Sequence, residues 1–426
     1  MSRLNVIKRT LLLGISIALV FYTNSLDAHS IPDSYREAIP GSHIIIDKSY
    51  DLQGSQWEVP DNVTLVFKKG GSLNNGAIYG RLTKIKASRS NRKIFNNVTI
   101  NGTWNVNKIY SNWIDFSAYN DNTIQMKNLF GLCSSEVYNR VYIQSGLYYL
   151  EGYDDSAKSP AIIKIPSNTK VYNQATIKVL PHSNKQSFLF YFCGVSDCSW
   201  DGGVLIGDVD SHFTNDGEQG FGLALRGAKN IVIKNVECKY FWGDGINLQY
   251  YGSQRHNENV LIERVRCVGN RRQGISVEDG INITIRNSSL VNTGIKRGTP
   301  PMRGIDIEPC YKEAVISHIK ISNCDFENNK GGGVLCCFLK PTDSDILIEK
   351  CNDPTGGLWL YDCKFDSHQQ GIKVKGYNCS NGKLQLKGIL KNTTIRNSNF
   401  LNQIGDESSV IAENLTFKNV VIHQKD

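Results

Sequence analysis

From about residue 230 one short pattern keeps returning along this chain, and it limits the fold more than any other feature. The first clear copy is Ile231-Val232-Ile233-Lys234-Asn235-Val236-Glu237-Cys238. Val260 to Cys267, Ile283 to Leu290 and Ile319 to Phe326 repeat it, and later copies run through Ile346, Leu358, Thr393 and Leu415. Apolar residues alternate on both sides of a bend, which is the period of strands and not of helices. The copies are unevenly spaced, as loop insertions of variable length on a fixed coil would make them. Asn235, Asn287, Asn323, Asn397 and Asn419 occupy the bend, with Asp362 in one copy. Asn tolerates the left-handed backbone and bonds locally, so it suits a sharp turn, and stacked coils would pile these side chains into a ladder.

Each bend is followed by a second unit, a residue, then Gly, then apolar residues at alternate positions. Its copies are Phe221 to Arg226, Asp244 to Gln249, Gln273 to Glu278, Arg303 to Glu308, Gly332 to Cys337 and Gln370 to Lys375. Each predicts a short strand entered through a Gly turn. Three strands per coil with an Asn bend between two of them resembles the pectate-lyase-like superfamily of right-handed parallel β-helices, over about residues 160–426. The resemblance implies an all-β fold of stacked coils and a carbohydrate-active protein.

The upstream sequence is consistent with this. Residues 29–110 read as an N-terminal β region, with Val63 to Phe67 typical. Residues 111–160 hold a helix starting at Asp121-Asn122-Thr123, capped by Asn122 or Thr123, followed by the first coils. The run Arg140-Val141-Tyr142-Ile143, a Gly at 146 and Leu147-Tyr148-Tyr149-Leu150 looks like the start of β-helix carbohydrate enzymes and phage-type β-helix proteins. In such folds the helix covers the open end of the stack, whose strand edges would otherwise be bare. The β-helix proper is placed at 161–426.

Residues 1–28 read as a signal peptide. Arg3, Lys8 and Arg9 precede an apolar run from Leu11 to Tyr22, and Ala28 offers a small residue for cleavage. That run is shorter than the roughly 20 residues that span a bilayer. Secretion, or delivery to a periplasm, is therefore expected, with no membrane span and a monomeric chain. The formal charge is +8, with no dense Lys/Arg block of the kind that marks a nucleic-acid footprint. Twelve cysteines in an exported chain would ordinarily mean disulfides. Here Cys238 and Cys267 share an inward position with Leu290, Phe326, Phe365 and Phe400, and Cys324, Cys351 and Cys363 share one with Val236, Val265 and Val420. They read as small core residues. Cys193 and Cys198 are the local pair closest to a disulfide spacing.

In the Gly-led strands the apolar residues point inward, so their neighbours point out. One outward line reads Ala224, Asn247, Ser276, Asp306, Leu335, Lys373. The next reads Arg226, Gln249, Glu278, Glu308, Cys337, Lys375. Asp306 and Glu308 then lie roughly 6.5–7 Å apart on one strand, with Glu278 on the adjacent coil and Asp244 at the groove edge. Carboxylates packed this closely repel, so at least one must hold a proton or share a cation. The competing reading is a solvated, salt-bridged face.

Two chemistries fit the cluster. In a glycoside hydrolase, one of Asp306, Glu308, Glu278 and Asp244 protonates the leaving oxygen and another activates water or attacks. No cofactor is needed. Polygalacturonase-type hydrolases place acids on this strand, but their paired-Asp and Gly-His-Gly motifs are missing here. In a polysaccharide lyase, Glu278, Asp306 and Glu308 would hold Ca²⁺ against a uronic acid, and Lys312 or Lys373 would take the proton. Asp306-Ile307-Glu308 followed by Lys312 is similar in shape to alginate and chondroitin lyases of this fold. The third possibility is a glycan-binding β-helix without catalysis. Arg303, Arg271, Arg272, Gln273, Asn247, Gln249, Lys373 and Lys312 are the expected polar contacts to a polysaccharide. Trp242 and Tyr250 are the aromatics on which sugar rings would stack, and Phe241 beside them suits either groove or core.

Overall fold

A computed structural model of the chain describes residues 29–116, 120–252, 255–338, 345–363, 371–404, 410–413 and 415–422. The expected signal peptide, Phe365 and Gln370 lie outside these. The strands of the stack pair in parallel, each with its counterpart one coil on. One stack runs Gln219–Arg226, Asp244–Gln249, Gln273–Val277, Arg303–Ile307, Gly332–Cys337 and Gly357–Tyr361. A second runs Lys229–Lys234, Glu258–Glu263, Gly280–Arg286, Ile316–Ser322 and Asp345–Asn352. The third contains Val204–Ile206, Glu237–Lys239, Arg266–Val268, Ser289–Val291 and Asp325–Glu327. Three stacked parallel sheets around one apolar interior make a right-handed parallel β-helix.

Register explains the core. Ile246, Ile275 and Ile305 pair in turn, as do Leu248, Val277 and Ile307, and all six side chains are fully buried. The bends are left-handed as expected, with φ of 55° at Asn235, 53° at Asn287 and 50° at Asn323. Arg264 fills the same position between the first two, and Lys350 fills it in the coil after Asn323. A second ladder stands at the start of the same strands. Asn230, Asn259 and Asn282 are also left-handed, and each amide donates to the residue one coil back.

All twelve cysteines are free, and eight of them are buried in the core. Cys238 pairs with Cys267 on the next coil. The Cys198 thiol donates to the Pro166 and Ser196 carbonyls at 3.2 Å, so the expected alternative of a bridge to Cys193 is not formed.

Three expectations are corrected. Lys373 does not continue the Asn247–Asp306 line. It pairs with Leu347 and Thr394 on the second sheet, while Trp359 follows Leu335 on the first. By the same register Leu358 and Cys363 leave the Asn-bend pattern, since Leu358 pairs with Val334 of the Gly-led stack. The glycines of that stack do not form turns. Gly245, Gly274 and Gly304 lie inside strands, and a Cβ on them would come within 2.9 Å of Cys267 Sγ, 2.8 Å of Leu290 Cδ2 and 2.5 Å of Phe326 Cδ1. They are small because the Cys/Leu/Phe column occupies that space.

The helix spans Thr123–Gly131 and packs between the Phe95–Trp104 strand and Ala161–Lys164, the first strand of the sheet that leads through Gln186–Cys193 to Gln219–Arg226, so it covers the open end of that sheet. N-terminal to it, strands from His29 to Trp104 form their own parallel set. Asn128 accepts from the Ile100 N–H at 3.0 Å and donates to the Val98 carbonyl at 2.8 Å, covering the free edge of the Phe95–Trp104 strand. Neither expected cap acts. The Thr123 N–H bonds to Asp121 Oδ1 at 2.9 Å, and Asn122 Oδ1 instead accepts from the Tyr149 N–H at 3.1 Å.

Candidate active site

The stack brings Asp244, Asn247, Gln273, Ser276, Glu278 and Asp306 to one face, as their spacing predicts. They are not open to solvent, however. None is more than 7% exposed, because three loops rise over the face.

The first loop, residues 207–218, is clamped from below. The Arg271 guanidinium donates to the Gly217 and Asn215 carbonyls, and Arg297 donates to the Val209, His212 and Thr214 carbonyls. Trp242 Nε1 donates to the Asp216 carbonyl at 3.0 Å. Its indole is stacked against the His212 ring at 3.9 Å, with Arg271 at 3.8 Å and Arg297 at 4.4 Å. Trp242 and Arg271 therefore hold a wall and do not face a sugar, and Phe241 beside them is core.

Asp208, His212 and His182 anchor the loop's other end. Their ligand atoms lie within 4.8 Å of one another, the spacing of a metal trio. His182 Nδ1 accepts the Asn184 N–H at 3.1 Å, and its Nε2 lies 3.5 Å from Asp208 Oδ2 without a hydrogen bond. His212 Nδ1 meets the same oxygen at 2.8 Å.

The other loops converge on Asp279. Its carboxylate accepts from His256 Nδ1 at 2.7 Å, the Asn257 N–H at 2.9 Å and the Val315 N–H at 3.0 Å. That ties residues 255–257 to residues 308–315. Tyr250 and Tyr311 pack at 6.0 Å. Tyr250 is half-buried and Tyr311 exposed, so this pair can meet a sugar ring.

Within the floor, amides and a hydroxyl hold the acids. Asn247 Nδ2 donates to Glu278 Oε1 at 3.0 Å and Gln249 Nε2 to Glu278 Oε2 at 2.8 Å. Ser276 Oγ donates to Asp244 Oδ2 at 2.7 Å, and Gln273 Nε2 to Asp306 Oδ2 at 2.8 Å. Gln273, Asn247 and Gln249 thus position carboxyls rather than reach for substrate. Burial pushes the Asp306 carboxyl well above the usual range, and Glu308, Asp244 and Glu278 push the same way. Burial raises Asp244 to about 7, against Arg272. Glu308 is raised by desolvation, and Arg272 pulls it back. Arg272 is the cation shared by the group, held charged by Asp244, Asp306, Glu218 and Glu278 against its own burial.

Arg303 is sequestered. Its guanidinium lies 3.5 Å over the Trp359 ring, and burial lowers it to about 10. Lys312 sits in an exposed turn and makes no ion pair among the described residues. With Lys373 on another sheet, neither lysine expected as a base joins the carboxylates. Sequence reasoning missed Glu218 and Tyr311. Both are on loops, where no periodicity marks a residue as facing the site.

No family model matches the chain. Among curated proteins it is 27% identical over 248 residues to the uncharacterized protein YclG of Bacillus subtilis, spanning 54% of this chain and 42% of that one. It is 24% identical over 263 residues to the SPbeta prophage-derived uncharacterized protein YorA of the same organism, spanning 54% and 44%. The chain thus spans less than half the length of the curated relatives it matches. Among solved structures, the A-module of Azotobacter vinelandii mannuronan C-5 epimerase AlgE6 aligns with a TM-score of 0.47 at 13% identity, over 75% of this chain and 99% of that one. The Streptococcus pneumoniae surface adhesin PfbA gives 0.47 at 17%, over 74% and 83%. An Erwinia carotovora polygalacturonase gives 0.42 at 14%, over 75% and 94%.

Proposed function

We propose that the protein is a secreted glycoside hydrolase acting on a polysaccharide, with Asp306 as the proton donor to the leaving oxygen. One observation carries this: Asp306, fully enclosed and raised by its burial, stands two residues from the more accessible Glu308, whose own rise Arg272 offsets. Two neighbouring carboxyls in unequal surroundings are how a site assigns acid and base roles. Glu308 is the partner that activates water or attacks the anomeric carbon. Glu278 and Asp244 set the field around them. No lysine or histidine touches these carboxylates among the described residues, which favours carboxyl chemistry over a lysine base.

The test incubates the protein with neutral and uronate-containing polysaccharides. New reducing ends without an unsaturated uronate product, abolished by Asp306→Asn, support hydrolysis. A glycan that binds without being cleaved would leave the binding-only reading.

A lyase is the second reading. Asp244 Oδ1, Asn247 Oδ1 and Asp306 Oδ1 are buried with no hydrogen-bond partner. Oxygens of this kind suit Ca²⁺, which would neutralise a uronate carboxylate. Loss of cleavage in chelator, together with unsaturated products, would favour it over hydrolysis.

A further inference from the structure

On the second sheet, a different face of the stack from the one that carries the acidic cluster, three cations stand in register. Lys108 pairs with Arg140, and Arg140 with Lys170. All three are exposed, and their inward neighbours Ile109, Val141 and Val171 are fully buried. Like charges on adjacent strands destabilise a sheet unless compensated. Elsewhere this sheet compensates them. Lys234 meets Asp201 at 3.3 Å, Arg286 meets Glu263 at 2.9 Å and Lys320 meets Glu349 at 2.8 Å. Among the described residues Lys108, Arg140 and Lys170 have no ion pair.

Two residues along, Tyr110, Tyr142 and Tyr172 form a stack on the same face, with centroids 5.1 and 5.0 Å apart and planes within 16°. The stack ends at a recess of about 400 Å³, where Tyr172, Tyr138, Lys170, Ser199, Asn230 and Lys234 contribute walls. The two acids that also line it, Asp197 and Asp201, are occupied by Asn230 and by Lys234 and Asn235.

We infer that this face binds an acidic polysaccharide, with the Lys108–Arg140–Lys170 ladder meeting its anionic groups and the Tyr172 end of the stack seating a sugar ring. The cations repeat at the strand spacing, about 4.8 Å, which is close to the advance of one pyranose along an extended chain. The tyrosines supply apolar edges and hydroxyls that a nucleic-acid phosphate backbone would not use. The site is separate from the carboxylate cluster and holds substrate or anchors the protein without performing chemistry.

Affinity electrophoresis of the full chain through gels containing polygalacturonate, heparin or dextran tests this. Retardation by one of the acidic glycans, none by dextran, and a loss of about tenfold in Arg140→Gln/Lys170→Gln would support it. Each removed cation should lower the salt slope by roughly 1. Lys373→Gln/Lys375→Gln removes the same charge elsewhere on the sheet and should leave retardation unchanged. Thermal unfolding of both pairs confirms that they fold. Absence of retardation, equal loss in both pairs, or equal retention by duplex DNA would overturn the inference. Asp306→Asn should bind like the parent, so the docking and catalytic readings fail separately.

Discussion

Asp244 shows how much of the site is set by burial. Its carboxyl is fully buried, raised to about 7, and hydrogen-bonded by Ser276. The unfolded chain releases this proton near 3.8, while the folded chain keeps it until about 7. Between those values the unfolded state binds fewer protons, so stability falls as pH rises and levels off above 7. The cost at alkaline pH is on the order of 4 kcal/mol. Asp244→Asn removes it. The variant's thermal midpoint should exceed the parent's by several degrees at pH 8 and by much less at pH 4. Equal midpoints at both pH values would show that Asp244 ionises freely. The acids could be found from sequence because alternation fixes which side chains share a face. Their burial could not, since it comes from loops tens of residues away. Arg303 and Trp242 were misplaced for the same reason: their identities fit a sugar-binding groove, but their neighbours enclose them.

The elements that enclose the site are loops held by side chain to backbone contacts. Arg297 is half of the clamp on residues 207–218 and is itself exposed. Arg297→Ala should therefore loosen that wall while the coils stay intact. Limited proteolysis should cut within residues 207–218 faster than in the parent, with little change in the global unfolding midpoint, and Trp242 fluorescence should shift. Cleavage spread over the chain would mean the clamp supports the coils as well. Strand identity was legible wherever the repeat kept three strands per coil. It failed at Gly371 to Lys375, whose local pattern matches the Gly-led strands while its register lies on the second sheet. Period 2 says that a segment is a strand and which residues turn inward. It does not say which of three sheets the strand joins, once inserted segments interrupt the count.

At the scale of the molecule, each coil meets only the coils before and after it, so stability is close to a sum of neighbour terms. The carboxylates come from three successive coils, and the cationic ladder from three others nearer the N-terminus. A local opening can then remove one face and spare the other. The pairing also fixes the environment of the thiols. Eight of the twelve are buried, and burial raises Cys238, Cys267, Cys336 and Cys363 far above the ordinary thiol range. Native protein should give an alkylating reagent only the accessible Cys193, Cys310, Cys133 and Cys337, with Cys310 slowed because burial and Glu278 push its thiol up to about 12, and the rest only after denaturation. Mass mapping of the modified positions checks this, and early labelling of Cys238 or Cys267 would contradict the buried ladder.

Those paired thiols have a consequence for how the protein ages. Cys238 and Cys267 are 29 residues apart in sequence but adjacent across the coils. While the stack is closed, oxidants cannot reach them. Once it opens, the same chain offers a dozen mobile thiols, and any bond formed among them out of register blocks rewinding. An oxidising medium thus turns a passing breach of the helix into permanent damage, and the lifetime of the protein there is governed by how often it opens rather than by how stable it is on average.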